Sequence, residues 1–355
     1  MTESDVTVSR RALIKGTSLG LAGALAGQLL PASAADQSPT SSPSPPLRAE
    51  QRRYWTAEYW AHKGDVKLYM YRKRSVAPVA GEAPLPVLFL VHGSSISSRS
   101  SFDLSVDGHG EYSLMNVFAA MGFDTWTMDC EGYGRSMQTD GNSDIKSGVE
   151  DLKAAVLVLE RETGQSRYHF FGESAGALRA GAFATVAPQR VNRLILEAFT
   201  YTGKGSPTLA KRAADTDFYR NHNRRKRDEA MIRNIFTRDM PGTTDPAVAA
   251  ALAAAELKFG DSAPTGTYLD MTVNLPLVHP EQIQSPTLIV RGQYDGIATV
   301  EDLADFFVKL PNADRQFAII PNAAHDLVLS NERQLLWHVA HAFLTLPQSV
   351  PLQAA

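Results

Sequence analysis

Tyr168-His169-Phe170-Phe171-Gly172-Glu173-Ser174-Ala175-Gly176-Ala177-Leu178 is the stretch whose reading decides the fold. A short, mostly aromatic run leads straight into Gly-x-Ser-x-Gly, and small residues then continue as a helix through Ala187. At glycine and serine frequencies of roughly 7% each, the pentapeptide alone arises by chance in about one such chain in ten. Its setting adds the weight, because strand, sharp turn and helix in succession lift a serine hydroxyl clear of a sheet edge. The two glycines suit a turn too crowded for a Cβ. The plain alternative is an ordinary Gly/Ser turn.

Working outward, apolar runs and helical patterns alternate. Pro86–Val91, Phe123–Met128, Val191–Leu196, Thr287–Arg291 and Gln316–Ile320 read as strands. Several are continuously apolar, as strands buried on both faces of a parallel sheet are. Between them, Glu111–Met121, Ser143–Glu162 (Ser143 as N-cap, Gly164 as stop), Val300–Leu310 and Gln334–Leu344 read as helices. Glu58–Lys63 and Val66–Tyr71 read as a hairpin around Lys63-Gly64-Asp65. The pattern predicts an α/β fold with a doubly wound, mostly parallel sheet. One stretch, 199–284, has helix-like segments and no clear strand, and is too long for a bare loop. It reads as an inserted helical cap, leaving 54–198 and 285–355 as the core.

In this order the motifs resemble the α/β-hydrolase family, over roughly residues 55–346. His92-Gly93 stands where that family places its oxyanion loop. Asp129-Cys130-Glu131-Gly132-Tyr133-Gly134-Arg135-Ser136 matches its D-x-x-G-x-G-x-S turn. Gly292-Gln293-Tyr294-Asp295 matches its acid-bearing turn, and His325 follows the last strand. The order Ser174, Asp295, His325 is the family's order. The resemblance implies a serine hydrolase. Some members draw the acid from the earlier strand end, where Glu197 stands. Asp295 is the first choice because members of that kind generally lack an acid in the later turn, and this chain keeps one.

The chemistry of such a site is general. A serine hydroxyl is a weak nucleophile, so an imidazole must take its proton and a carboxylate must hold the imidazole's tautomer. Donors must also meet the charge that develops on the carbonyl oxygen. The Ala175 N–H, one residue after the nucleophile, is one; Ser94 is the second, with Ser95 as alternative. Glu173, Phe199 and Tyr201 are candidates for touching substrate. Phe218, Tyr219, Phe236, Tyr268 and Met271 are further candidates to line an apolar pocket, although helix–sheet packing explains most of them equally well. A serine in the elbow argues against dehalogenase and epoxide-hydrolase chemistry, where the family carries an aspartate. A carboxylesterase is the commonest remaining reading, with amidase, lactonase or carbon–carbon hydrolase on the same triad as alternatives. His92 reads as shaping its loop and Asp129 as shaping its turn. Arg224-Arg225-Lys226-Arg227 reads as a solvated helix face.

Composition narrows the field. The chain has 355 residues, is 44% hydrophobic and 21% charged, and carries a formal net charge of -3. Nothing there favours nucleic acid or an anionic membrane surface. The single cysteine, Cys130, excludes an internal disulfide and a thiolate metal site. The histidines are scattered, so neither metal nor other cofactor is expected; the partner is a small-molecule ester. Ser143-Asp144-Ile145-Lys146 fits the S-x-x-K of penicillin-binding enzymes, but no S-D-N or K-T-G partner follows at a sensible distance. A binding protein on a hydrolase fold would call for a broken triad, and all three members are present.

The N-terminus carries its own message. Ser9-Arg10-Arg11-Ala12-Leu13-Ile14-Lys15 resembles the twin-arginine export signal. The apolar run Thr17–Leu30 is short of the roughly 20 residues that span a bilayer, and Ala32-Ser33-Ala34 suits signal peptidase. Residues 1–35 therefore read as a cleaved signal and 36–53 as a flexible Ser/Pro-rich segment. A periplasmic or secreted protein with no stable membrane anchor is expected.

Overall fold

A computed structural model describes residues 54–347. The export signal and the Ser/Pro-rich segment lie outside the described residues. Among the described residues ten strands form: β1 (Trp55–Lys63), β2 (Val66–Arg74), β3 (Val87–Val91), β4 (Asp124–Met128), β5 (Tyr168–Glu173), β6 (Val191–Glu197), β7 (Arg224–Lys226), β8 (Ser262–Pro264), β9 (Thr287–Gly292) and β10 (Arg315–Ile320). Eight make one sheet in the order β1-β2-β4-β3-β5-β6-β9-β10. The hairpin β1–β2 and the pair β2–β4 are antiparallel, and every other neighbour is parallel.

This order follows from burial. β3, Val-Leu-Phe-Leu-Val, is buried at all five positions, so both its faces must be covered. Edge strand β1 alternates half-buried and exposed residues along most of its length. Helices α1 (Ser98–Phe102), α2 (Leu114–Ala120), α3 (Ile145–Thr163) and α4 (Ala175–Val186) connect the first six strands, and α10 (Val300–Lys309) and α11 (Arg333–Leu344) finish the fold. Residues of α3, α4 and α10 build the core on one face; α2 and α11 build it on the other. From β3 the chain steps out to β4, then returns to place β5 on β3's other side. The loops after β3 and β5 therefore diverge at a topological switch point, where open α/β sheets hold ligands.

Between β6 and β9 lie α5 (Pro207–Arg212), α6 (Thr216–Asn221), β7, α7 (Glu229–Thr237), α8 (Pro246–Glu256), β8 and α9 (Gly266–Val273). The stretch is thus not wholly helical. Arg224-Arg225-Lys226 is no solvated helix face but strand β7, paired antiparallel with Ser262–Pro264. Its neighbour Arg227 is 1% exposed and ion-paired with Glu256. Arg224 donates to the Gly132 and Ser262 carbonyls. Arg224 and Arg227 are thus consumed by carbonyls and a carboxylate, which a count of charges does not reveal.

Smaller differences have local causes. β2 runs on to Arg74 because Arg72 buries its charge against Asp124 of β4, at 2.9 Å, and stacks on Trp126. Helix α3 is capped by Asp144, whose carboxylate accepts the Ser147 N–H at 2.7 Å; Ser143 instead takes φ 51°. The helix α2 begins at Leu114 because the Ser113 hydroxyl accepts the Asn116 N–H at 3.0 Å.

Candidate active site

The turn between β5 and α4 is strained where the motif requires it. Ser174 has φ 55° and ψ -118°, in the region costly for a residue with a Cβ. Its N–H donates to the Glu197 carbonyl of β6 at 2.8 Å, which locks the bend. A Cβ on Gly172 would overlap the Gly176 carbonyl and the Ala177 backbone, and one on Gly176 would overlap the Val91 carbonyl. Both glycines are therefore dictated by close backbone approach, and the strain is held by the sheet.

Three elements converge on the serine. His325 lies in the loop after β10, and its Nε2 stands 3.1 Å from the Ser174 Oγ. Its Nδ1 stands 2.9 Å from Asp295 Oδ1, in the turn after β9. That same oxygen accepts the Ile297 N–H at 2.9 Å. Burial works to raise the Asp295 carboxyl, but His325 and the Ile297 N–H hold it below its ordinary value. Such a group is ionised at neutral pH and orients the Nδ1–H of a neutral imidazole, leaving Nε2 to accept the hydroxyl proton.

Glu197 occupies another position. It is fully buried beneath the site and makes no hydrogen bond to His325. Neither carboxyl oxygen holds a hydrogen bond of ordinary geometry, although the Leu327 N–H faces the group. Burial, with Glu173, Asp295 and Asp326 nearby, raises it well above the ordinary carboxylate range. Burial thus favours its neutral form over the carboxylate.

Two more carboxyls border the serine. Glu173 precedes it and Asp326 follows His325; both line the small cavity, about 30 Å³, that holds Ser174 and His325. Burial pushes Glu173 up to about 8, aided by the Asp326 charge, while the Ser101 hydroxyl opposes it. Burial likewise raises Asp326 to about 7, with Arg238 opposing. Asp326 was not singled out from sequence, although its place beside the histidine was the signal.

The opposite wall is the loop after β3. A Cβ on Gly93 would come within 3.3 Å of the Ser174 Cβ, so the loop passes tightly against the nucleophile. Ser94 and Ser95 both line the small cavity with Ser174. The Ser94 hydroxyl is buried without a partner, while the Ser95 hydroxyl meets the Tyr268 hydroxyl at 2.5 Å. Ala175 opens α4, where the first N–H groups have no partner within the helix. His92 shapes this loop: Nδ1 faces the Gly93 carbonyl at 2.8 Å and Nε2 accepts the Cys130 N–H at 3.0 Å. Burial and the Arg179 charge push it down to about 3, so it stays neutral. Asp129 holds the same loop, accepting from the Ser98 N–H at 2.9 Å and hydroxyl at 2.6 Å. Glu256 of α8 adds a third clamp, accepting the Ser97 N–H at 3.0 Å and hydroxyl at 2.6 Å.

The apolar candidates divide. Phe199 and Tyr201 do not line the cavity; their rings pack on Phe306 of α10, at 4.7 and 5.2 Å. The chain turns away from the site directly after β6, so its first aromatic residues serve the core. Tyr219 and Tyr268 line a wider cavity, about 600 Å³, which shares Ser95, Arg212, Ile235 and Arg238 with the small one. Among the described residues, no group of three His, Cys, Asp or Glu is placed to hold a metal ion. No helix there is long and apolar enough to cross a membrane.

Comparison with known proteins places this geometry in context. The family described as serine aminopeptidase, S33, matches residues 106–334. A 2-hydroxy-6-oxononadienedioate/2-hydroxy-6-oxononatrienedioate hydrolase of Burkholderia vietnamiensis is 34% identical over 113 residues, 31% of this chain and 34% of that one. This chain thus spans about a third of that relative's length. The enzyme of the same description from Cupriavidus pinatubonensis is 26% identical over 242 residues, 63% of this chain and 74% of that one. Among solved structures, a carboxylesterase of Bacillus subtilis aligns with TM-score 0.58 and 20% identity, covering 82% of this chain and 92% of that one. A 2-hydroxy-6-oxo-6-phenylhexa-2,4-dienoate hydrolase of a Rhodococcus species aligns with TM-score 0.59 and 15% identity, covering 82% and 100%. At these identities the structural likeness speaks for the fold.

Proposed function

The chain belongs to the serine aminopeptidase S33 family of α/β-hydrolases, and from that premise we propose that it cleaves a carboxylic ester through an acyl-enzyme on Ser174. The observation that carries the reading is the relay Ser174–His325–Asp295, with steps of 3.1 and 2.9 Å. Ser174 Oγ attacks the carbonyl carbon while His325 Nε2 takes its proton. The oxygen gains a full negative charge, met by the Ala175 N–H and the Ser94 N–H, with Ser95 as the alternative second donor. As the intermediate collapses, His325 returns the proton to the departing alkoxide. A water then repeats the sequence on the acyl-enzyme, releasing the acid and restoring Ser174. Asp295 stabilises the imidazolium at each stage.

A second reading draws on the relatives. A 2-hydroxy-6-oxo dienedioate contains a ketone and no ester, so its hydrolysis breaks a carbon–carbon bond beside a carbonyl. The same triad suits that reaction if a carbon leaving group takes the proton. A fluorophosphonate probe followed by peptide mapping tests the common premise. Labelling of Ser174, lost in Ser174→Ala, supports a serine hydrolase; labelling at another serine, or none, rejects it. Parallel assays of p-nitrophenyl esters, anilides, lactones and a vinylogous 1,5-diketone then separate the bond classes. We further read residues 199–284 as the cap that sets substrate choice and residues 1–35 as an export signal.

A further inference from the structure

The wide cavity above Ser174 carries more positive charge than its walls neutralise. Lys211, Arg212, Arg225 and Arg238 line it, against the carboxylates Asp215 and Asp239. Asp239 is spent on Arg238, at 3.4 Å, and on the Thr208 hydroxyl. Asp215 faces the Tyr219 hydroxyl at 3.4 Å. Among the described residues, neither Arg212 nor Arg225 has a carboxylate within ion-pair distance. Instead both guanidinium groups stand over the Tyr268 ring, at 5.0 and 4.7 Å from its centre. The other contact of Arg212 is the Met271 sulfur, at 3.8 Å.

Arg238 points the same way. Its side chain is 16% exposed, and its Nη2 is buried without an acceptor. Arg212 and Arg238 also border the small cavity that holds Ser174 and His325, so the charge reaches the reacting bond. Burial, with the neighbouring Arg238 charge adding to it, pushes Arg212 down to about 10. Three guanidinium groups in one half-buried cavity repel each other unless an anion joins them. Arginine's planar fork is the side chain best shaped to hold a carboxylate through two parallel hydrogen bonds.

We propose that this cavity is a carboxylate-binding subsite, and that the substrate carries a carboxylate beyond the carbonyl group that Ser174 attacks, held by Arg212, Arg225 and Arg238. The inference rests on the serine-hydrolase reading of the site and adds the substrate's charge to it. An arginine–carboxylate contact of this kind is worth about 1.5–3 kcal/mol, or about 10- to 100-fold in kcat/KM.

The test uses four esters with the full chain, two charged and two neutral. p-Nitrophenyl butyrate is neutral, mono-p-nitrophenyl glutarate is charged on the acyl side, and butyryl glycolate is charged on the alcohol side. One charged ester should exceed its neutral counterpart (p-nitrophenyl butyrate or methyl butyrate, respectively) at least tenfold in kcat/KM, and the preferred one reports which side of the bond enters the cavity. Arg225→Gln and Arg212→Gln should each cut that charged-to-neutral ratio about 10- to 100-fold, chiefly through KM, with Arg225→Lys recovering part of it. Glutarate should also slow fluorophosphonate labelling of Ser174, and butyramide should not. Neutral esters preferred over both charged ones, or ratios unmoved in folded variants, would overturn the subsite while leaving the nucleophile intact. Absence of labelling in the wild-type protein would instead overturn the serine-hydrolase reading itself.

Discussion

Asparagine at position 295 separates the two jobs of the triad acid. Asp295 Oδ1 accepts from both His325 Nδ1 and the Ile297 N–H, each at 2.9 Å, while Oδ2 is buried without a partner. An asparagine keeps one oxygen. If that oxygen stays at the shared position, both N–H groups are satisfied, the imidazole keeps its tautomer, and only the negative charge is lost. Unit charges roughly 4 Å apart attract by about 4 kcal/mol at an effective dielectric constant of about 20. At about 1.4 kcal/mol per decade, the loss is on the order of a thousandfold in kcat. If the amide turns its NH2 to the imidazole, the wrong tautomer brings the loss to about 10⁴, but the Ile297 N–H then faces another donor. The expected kcat of Asp295→Asn on p-nitrophenyl butyrate is therefore about 10³- to 10⁴-fold below wild type. Glu197→Gln, measured beside it, should cost under about a hundredfold, because Glu197 makes no hydrogen bond to His325 and burial already favours the neutral form that glutamine mimics. Thermal melts of both proteins establish that they fold. An Asp295→Asn loss below tenfold, or a greater loss in Glu197→Gln, refutes the assignment of the acid.

Ser174→Ala should remove ester turnover by on the order of 10⁶ in kcat while leaving the melting temperature near wild type; turnover within tenfold of wild type would show that another group is the nucleophile. Stability should fall as pH rises. The folded chain keeps protons on Glu173, at about 8, and Asp326, at about 7, that an unfolded chain releases near their ordinary values of 4.5 and 3.8. Their contribution is full below about pH 4 and is lost as pH climbs through 7 to 8, so urea midpoints should decline over that window and flatten in Glu173→Gln/Asp326→Asn; a midpoint that rises with pH there contradicts the assignment. Arg10→Lys with Arg11→Lys should hold the precursor in the cytoplasm, whereas intact-mass analysis of exported material that still begins at Met1 would reject the cleaved signal.

Much of the candidate site's geometry was legible because backbone geometry leaves a local trace. Glycines at 172 and 176 mark where Cβ atoms cannot go, and their positions around Ser174 announced the turn. Asp295 and His325 were readable because each follows a strand whose apolar run is plain. What escaped depends on partners distant in sequence. Arg72 reads as the end of a strand until Asp124, 52 residues away, is seen to neutralise it. Arg224 and Arg227 read as solvated until Gly132, Ser262 and Glu256 are seen to absorb them. Phe199 and Tyr201 had the right chemistry for a pocket, but the direction of the chain after β6 decided where they went. Arg212 and Arg238 lie 38 and 64 residues past the serine, and no spacing rule connects them to it.

Glu256 ties the insertion to the catalytic floor. It holds Arg227 of the insertion with one oxygen and Ser97 of the loop after β3 with the other. Arg227 in turn donates to the Ser95 carbonyl at 3.2 Å. The insertion is therefore not an interchangeable lid. A graft that swapped it for a foreign one would strip the acceptor from a buried N–H and hydroxyl, at about 1–3 kcal/mol for each unsatisfied group. The penalty would fall on the strand-end loop that frames the developing oxyanion. If the insertion sets substrate choice as proposed, specificity and turnover are inherited together, and a chimera that keeps turnover has to bring along its own acid for Ser97.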